Sequence, residues 1–210
     1  MTLTKLLHNW NGLTKIIFIG PLFSKKNISF IEKDAGLVFI DGGSAFKSDF
    51  HSNKTQFFVG DGDSSHPDQY FDLKLSPQKD LTDLEVALSL LPDHLFELEL
   101  WGFLGGRLDH ELANYGAVAQ FLIEREHTQI VSFDQRQMLL SPGAHQLTLQ
   151  GPFSLLALME TQLHLEGSLS YSTAEPITLL PFTGRGLSNI SHGKFELTTS
   201  GPLLLWRETT

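Results

Sequence analysis

The sequence predicts an α/β fold: an N-terminal doubly wound, mostly parallel sheet, followed by a C-terminal all-β sandwich. Three observations carry this expectation. Short, continuous runs of β-branched and aromatic residues recur between positions 15 and 134, each ending at Gly or Asp. Segments with helical spacing alternate with them, and after Met138 the helical pattern disappears. Parallel strands covered on both faces read as unbroken apolar runs rather than as alternation. Strand alternating with helix is the pattern of a doubly wound sheet.

The first strand is KIIFIG, Lys15–Gly20, the second GLVFID, Gly36–Asp41, and the third QFFVGD, Gln56–Asp61. LTDLEVALSLL, Leu81–Leu91, places Leu84, Ala87, Leu88 and Leu91 on one helical face, and Pro92 with Asp93 stops it. ELELWGFLGG, Glu97–Gly106, is the next strand, RLDHELANYGAVAQFLIERE, Arg107–Glu126, the next helix, and TQIVSFD, Thr128–Asp134, a further strand. Beyond Met138, strand-like runs are broken by Pro-Gly, Gly-Pro and Glu-Gly, which suits a sandwich. The expected domains are therefore 1–137 and 138–210. Trp101 and Trp206 fall in strand-like runs and read as core, whereas His51, His66, His145 and His164 lack ligand spacing and read as surface.

Composition narrows the function. The chain has 210 residues, 41% of them hydrophobic, with 16 Phe, enough for a substantial core. A net charge of −9 argues against nucleic-acid and anionic-membrane partners. It leaves nucleotides open, because a cation can bridge acidic side chains to phosphates. The chain has no Cys, so disulfides and thiolate metal sites are excluded. MTLTKLLHNWNGLT lacks the apolar core of a signal peptide, and no apolar run approaches the ~18 residues of a membrane span. The expectation is a cytoplasmic protein.

In open α/β sheets, ligands bind outside the carboxyl ends of the strands. Four motifs fall at that edge: DGGS (Asp41–Ser44), GDGDSS (Gly60–Ser65), KDLTD (Lys79–Asp83) and GGRLDH (Gly105–His110). Each alone has an ordinary reading: Asp-Gly is turn chemistry, and Thr82 or Asp80 could cap a helix. Together they bring Asp61, Asp63, Asp83 and Asp109 to one edge. Asp61 and Asp63 repel each other on one turn unless a cation lies between them. Oxygen donors without Cys favour a hard ion, Mg²⁺, over zinc. Gly42, Gly43, Gly105 and Gly106 let backbone N–H groups approach an anion, and Arg107 at a helix start can fork onto phosphate oxygens. The set suits phosphoryl or pyrophosphoryl transfer from a nucleotide.

In this order, DGG, GDGDS, KDLTDLEVAL, GGRLDHELAN and the late RGLSN (Arg185–Asn189) resemble the thiamine pyrophosphokinase family over nearly the whole chain. The resemblance implies a homodimer that transfers the β,γ-pyrophosphoryl group of ATP to the hydroxyl of thiamine with Mg²⁺, releasing AMP. It implies that Asp61, Asp63 and Asp83 hold metal and phosphates. Asp41, Gly42, Gly43, Lys79, Thr82 and Gly106 would lie on the nucleotide side. Arg107 would stabilise charge on the transferred group, and Asp109 would orient the reacting hydroxyl or accept its proton. Ser188, Asn189 and His110 would serve thiamine, with the second domain of one subunit completing its partner's site. His110 and Asn114 have structural readings beside the functional ones: His110 as a cap or packing group, Asn114 in hydrogen bonding one turn on. Two other functions stay open: a pyrophosphokinase for another hydroxymethyl heterocycle, such as a pterin, and a non-catalytic thiamine- or nucleotide-binding regulator.

Overall fold

The computed structural model describes residues 10, 12–53, 55–62, 71–94, 96–125, 127 and 129–207. The chain is mixed α/β and dominated by strands. It divides into two compact units, Met1–Ala117 and Val118–Thr210.

Among the described residues, the first unit is built on five parallel strands: β1 (Lys15–Ile19), β2 (Gly36–Ile40), β3 (Gln56–Gly60), β4 (Leu73–Lys74) and β5 (Glu97–Trp101). Their spatial order is β5-β1-β2-β3-β4. The chain steps outward from β1 to β4, then returns to the far side of β1 for β5. This reversal puts a topological switch point between β1 and β5, where the loops leaving the sheet diverge. Every residue of β2 is buried, as the unbroken GLVFI run requires. One sheet face packs Ile17, Ile19, Leu37, Phe39, Phe58 and Trp101 with Phe23, Ile31 and Phe50 into a common core. Helix α1 (Asp83–Ser89) buries Leu84, Ala87 and Leu88. It is shorter than the expected Leu81–Leu91 because Thr82 caps it. The Thr82 hydroxyl accepts from the Glu85 N–H, and the Glu85 carboxylate accepts from the Thr82 N–H, a reciprocal capping box. β5 stops at Trp101 rather than Gly106, because Gly102 takes a left-handed φ of +79°.

Helix α2 spans Leu108–Ile123. The second unit then runs β6 (Ile130–Phe133), β7 (Gln137–Leu140), β8 (Gly143–Ala157), β9 (Thr161–Leu169), β10 (Ile177–Leu179), β11 (Asn189–Thr199) and β12 (Leu203–Arg207). Their order is β10-β9-β11-β8-β12-β7-β6, each pair antiparallel. Alternate residues of β8, β9, β11 and β12 point into one cluster that includes Leu147, Phe153, Leu165, Phe195, Leu197 and Leu205. The expectation that no long helix follows Met138 holds among the described residues.

Two expectations about individual residues are corrected. His145 is buried, not at the surface: its Nε2 lies 2.8 Å from the Ser141 carbonyl, and burial lowers its pKa. Trp206 is 42% exposed because it sits on the outer face of β12, between inward-pointing Leu205 and the end of the strand. Trp101 is buried as expected, His51 is exposed, and His164 is half-buried between Glu166 and Thr173. His66 lies outside the described residues. No helix among the described residues is long and apolar enough to cross a membrane.

A single close approach fixes the loop that follows β2. Gly43 lies in the 3₁₀ helix Asp41–Asp49, and a Cβ there would sit 2.0 Å from the Ile19 carbonyl oxygen at the end of β1. The obstacle is backbone, which cannot step aside as a side-chain tip could. Gly43→Ala should therefore destabilise the fold by about 1–3 kcal/mol, the usual range for overpacking. A urea unfolding midpoint equal to that of the wild type would contradict this.

Candidate active site

The carboxyl ends of β1, β2, β3 and β5 open onto one cleft of about 700 Å³. Its walls take Pro21 and Leu22 from the loop after β1, Asp41 after β2 and Asp61 after β3. Lys79, Thr82 and Asp83 come from the start of α1 and the segment before it. Gly102, Phe103, Gly106, Arg107, Asp109, His110 and Asn114 come from the β5–α2 connection and the first turns of α2. Of the four motifs at the sheet edge, KDLTD contributes Lys79, Thr82 and Asp83, GGRLDH contributes Gly106, Arg107, Asp109 and His110, and DGGS and GDGDSS contribute Asp41 and Asp61.

The deepest electrostatic feature is a trio of aspartates. One carboxylate oxygen each from Asp41, Asp61 and Asp83 lies within 4.8 Å of the others. Asp41 reaches the trio from a backbone at φ +47°, a conformation Asp tolerates better than most residues. Asp83 is fixed as the first residue of α1, directly after the capped Thr82. The Lys79 ammonium bridges two members, 2.8 Å from Asp83 Oδ1 and 3.2 Å from Asp61 Oδ2. Desolvation works against the Lys79 charge, but hydrogen bonds to Asp83 and Asp61, with their charges, raise its pKa above the ordinary value. Three carboxylates with only oxygen donors fit a hard dication such as Mg²⁺, which prefers a few carboxylates plus phosphates.

The second feature is exposed. Arg107 forks onto Asp109, Nε to Oδ1 at 3.1 Å and Nη2 to Oδ2 at 2.5 Å. The His110 N–H donates to the same Oδ1 at 3.0 Å. The Arg107 hydrogen bonds, with the His110 N–H and the Arg107 charge, hold the Asp109 carboxyl down to about 2. Beneath this pair the glycine loop is anchored to α2. Glu111 accepts from the Gly105 N–H at 3.0 Å and from the Tyr115 hydroxyl at 3.1 Å, and Asn114 Nδ2 donates to the Phe103 carbonyl at 2.9 Å. Asn114 thus has the hydrogen-bonding role weighed for it.

The expected site residues are distributed as follows. Asp41, Asp61, Lys79, Thr82, Asp83, Gly106, Arg107, Asp109 and His110 line the cleft. Gly42 and Gly43 follow Asp41 in the 3₁₀ helix but are not in its wall. The Thr82 hydroxyl is engaged with Glu85 in the cap. Asp63 lies outside the described residues. Ser188 and Asn189 belong to the second unit. Ser188 is exposed at φ +61°, with its N–H on Ser154 Oγ. Asn189 is buried, its amide bonded to the Tyr171 backbone through both N–H and oxygen. Sequence reasoning put Asp41 beside the nucleotide rather than among the metal carboxylates, and it did not single out Glu111. GGRLDHE offered one signal for Glu111, an acidic residue in the first turn of a helix.

The Asp109 pairing has a measurable consequence. A depressed carboxyl pKa favours the folded state at pH values above the ordinary value, and that contribution is lost as pH falls through the folded value. The Asp109 carboxyl should titrate near 2 by NMR, and in Arg107→Gln it should return toward 3.8. An unchanged midpoint in the variant would show that Arg107 is not the cause.

Comparison with known proteins bears on what the cleft does. Residues 29–132 match the family model of the thiamin pyrophosphokinase catalytic domain. No curated protein sequence matches the chain significantly. Among solved structures, the thiamine pyrophosphokinase of Bacillus subtilis superposes with a TM-score of 0.70 at 19% identity, covering 93% of this chain and 99% of that one. The thiamin pyrophosphokinase of Candida albicans gives 0.71 at 12% identity, covering 95% and 90%. That of Geobacillus thermodenitrificans gives 0.69 at 20% identity, covering 93% and 97%. At these identities the structures share the fold.

Proposed function

Because this chain belongs, through residues 29–132, to the thiamin pyrophosphokinase family, we propose that it transfers the β,γ-pyrophosphoryl group of ATP to the hydroxyl of thiamine. The hydroxyl oxygen bonds to the β-phosphorus, the bond from that phosphorus to the bridging α,β-oxygen breaks, and AMP leaves as the hydroxyl proton is lost. The observation that carries this reading is the aspartate trio and Arg107 lining one cleft at the carboxyl end of the sheet. Such transfer needs positioning and charge stabilisation more than covalent chemistry, and these residue types supply both.

Asp41, Asp61 and Asp83 would hold Mg²⁺, and the family resemblance adds Asp63 to the metal ligands. When bound, the metal neutralises charge on the phosphate oxygens. Lys79, Thr82 and Gly106 in the cleft wall would serve the nucleotide, with Gly42 and Gly43 acting from the 3₁₀ helix behind Asp41. Arg107 stabilises charge on the group in transit. Asp109 orients Arg107 and the acceptor hydroxyl; a carboxyl held near 2 is a weak proton acceptor, which favours orientation over base catalysis. His110, Ser188 and Asn189 serve thiamine. Function divides between a catalytic domain, 1–137, and a thiamine-binding β-sandwich, 138–210. Two chains form a homodimer in which each subunit completes its partner's site, a reading supported by the family resemblance. The use of ATP points to the cytoplasm.

The direct test is AMP release from ATP with Mg²⁺, with and without thiamine. Thiamine-dependent AMP is expected from the wild type. Asp61→Asn and Asp83→Asn should remain folded and lose about a hundredfold or more in turnover. Thiamine-independent AMP, or near wild-type turnover in either variant at saturating Mg²⁺, would overturn the assignment. Sedimentation equilibrium should give twice the chain mass; a monomer would remove the shared site.

A further inference from the structure

The following rests on the reading above, in which the aspartate trio takes a dication together with polyphosphate. We infer that Lys79 is a built-in counter-cation that weakens the site for bare dications and ties metal entry to the phosphates arriving with it. Its ammonium already bridges two of the three carboxylates, Asp83 at 2.8 Å and Asp61 at 3.2 Å. The three side chains are only 19%, 12% and 14% exposed, for Lys79, Asp61 and Asp83 respectively. Charges so placed are poorly screened by water and salt, so a second cation feels the first strongly.

The two sides of the contact are not equally movable. Asp83 is locked at the start of α1 by the Thr82–Glu85 capping box. Lys79 precedes the helix, and its ammonium stands on a flexible four-carbon stem, with a third contact, 3.3 Å, to the Ser76 carbonyl. A bare dication approaching the trio meets that ammonium and gains little. A dication carrying phosphates brings new acceptor oxygens, to which Lys79 can turn without losing its counter-charge. The carboxylates then become available to the metal. Metal affinity is thus conditional on phosphate, and by reciprocity phosphate affinity is conditional on metal.

The test uses Mn²⁺, a hard dication whose binding is followed by electron paramagnetic resonance, with and without a non-hydrolysable ATP analogue. Wild type, Lys79→Met and Lys79→Arg are compared, with Lys79→Gln as a second neutral variant. The neutral variants should bind Mn²⁺ alone roughly tenfold tighter than wild type or better. Lys79→Arg, which keeps the charge, should resemble wild type. The analogue should tighten Mn²⁺ strongly in wild type and much less in the neutral variants. A folded neutral variant that binds Mn²⁺ alone no tighter than wild type would overturn the inference and leave Lys79 a fixed strut of the trio. Wild type that binds Mn²⁺ equally with and without the analogue would also overturn it, while thiamine-dependent AMP release would still stand. Failure of every protein to bind the analogue at all would sink the functional reading along with it.

Discussion

Three carboxylates forced within a few ångströms of one another are the constraint around which the first unit is arranged. Asp41, Asp61 and Asp83 come from three separate segments, so no local sequence relation brings them together; the parallel sheet does. β2 and β3 are neighbours in register, with Ile40 opposite Val59, so the residues that follow them emerge side by side. α1 packs its apolar face back onto the sheet and delivers Asp83 from above. Like charges this close repel one another, and a cation placed among them offsets that repulsion. The Lys79 ammonium supplies part of that offset within the chain.

The rest of the unit holds this edge in place. β1 lies between β5 and β2, and the loops after β1 and β5 lock onto each other: the Gly20 N–H donates to the Trp101 carbonyl at 2.8 Å, and the Leu22 N–H to the Gly102 carbonyl at 3.0 Å. A Cβ at Gly102 would lie 2.2 Å from the Phe23 nitrogen, so a side chain there would pry the loops apart. Phe23 in turn packs edge-on against Phe46, at 5.1 Å between ring centroids, in the 3₁₀ helix that begins with Asp41. The apolar core and the acidic edge are thus continuous, and a change in the first moves the second.

Much of this was legible in the sequence because its signals are local. Continuous apolar runs fixed β1, β2 and β3 to within a residue, since strands buried on both faces leave little room for another pattern. The acidic edge was legible because each motif sits where such a strand ends. The role of Gly43 was not. Glycine beside an Asp reads as room for an anion, but its nearest neighbour is the Ile19 carbonyl, a contact set by tertiary packing. Asp41 joining the trio depends on one left-handed φ that sequence does not announce. His145 looked like a surface residue because a lone His carries no periodic signal, and its burial follows from the Ser141 carbonyl that receives it. The length of β8, fifteen residues through Pro152, was hidden because Gly-Pro reads as a break.

The cleft contains two ion-pair systems, and their different burial suits them to different tasks. Arg107 and Asp109 are 72% and 63% exposed. A pair so open to water is worth little net, and its partners can be exchanged for others at small cost. Arg107 can therefore pass from Asp109 to a phosphate without disturbing the fold, while Asp109 remains charged in solvent. The trio is different, because its carboxylates lie at 12% and 14% exposure for Asp61 and Asp83. Removing a cation from a pair at that depth leaves uncompensated charge, which costs far more than the pair contributes. Lys79 can leave only as another cation arrives. The same cleft thus carries a readily exchanged contact at its rim and an obligatory charge replacement deeper in, and the order in which ligands can enter follows from that difference.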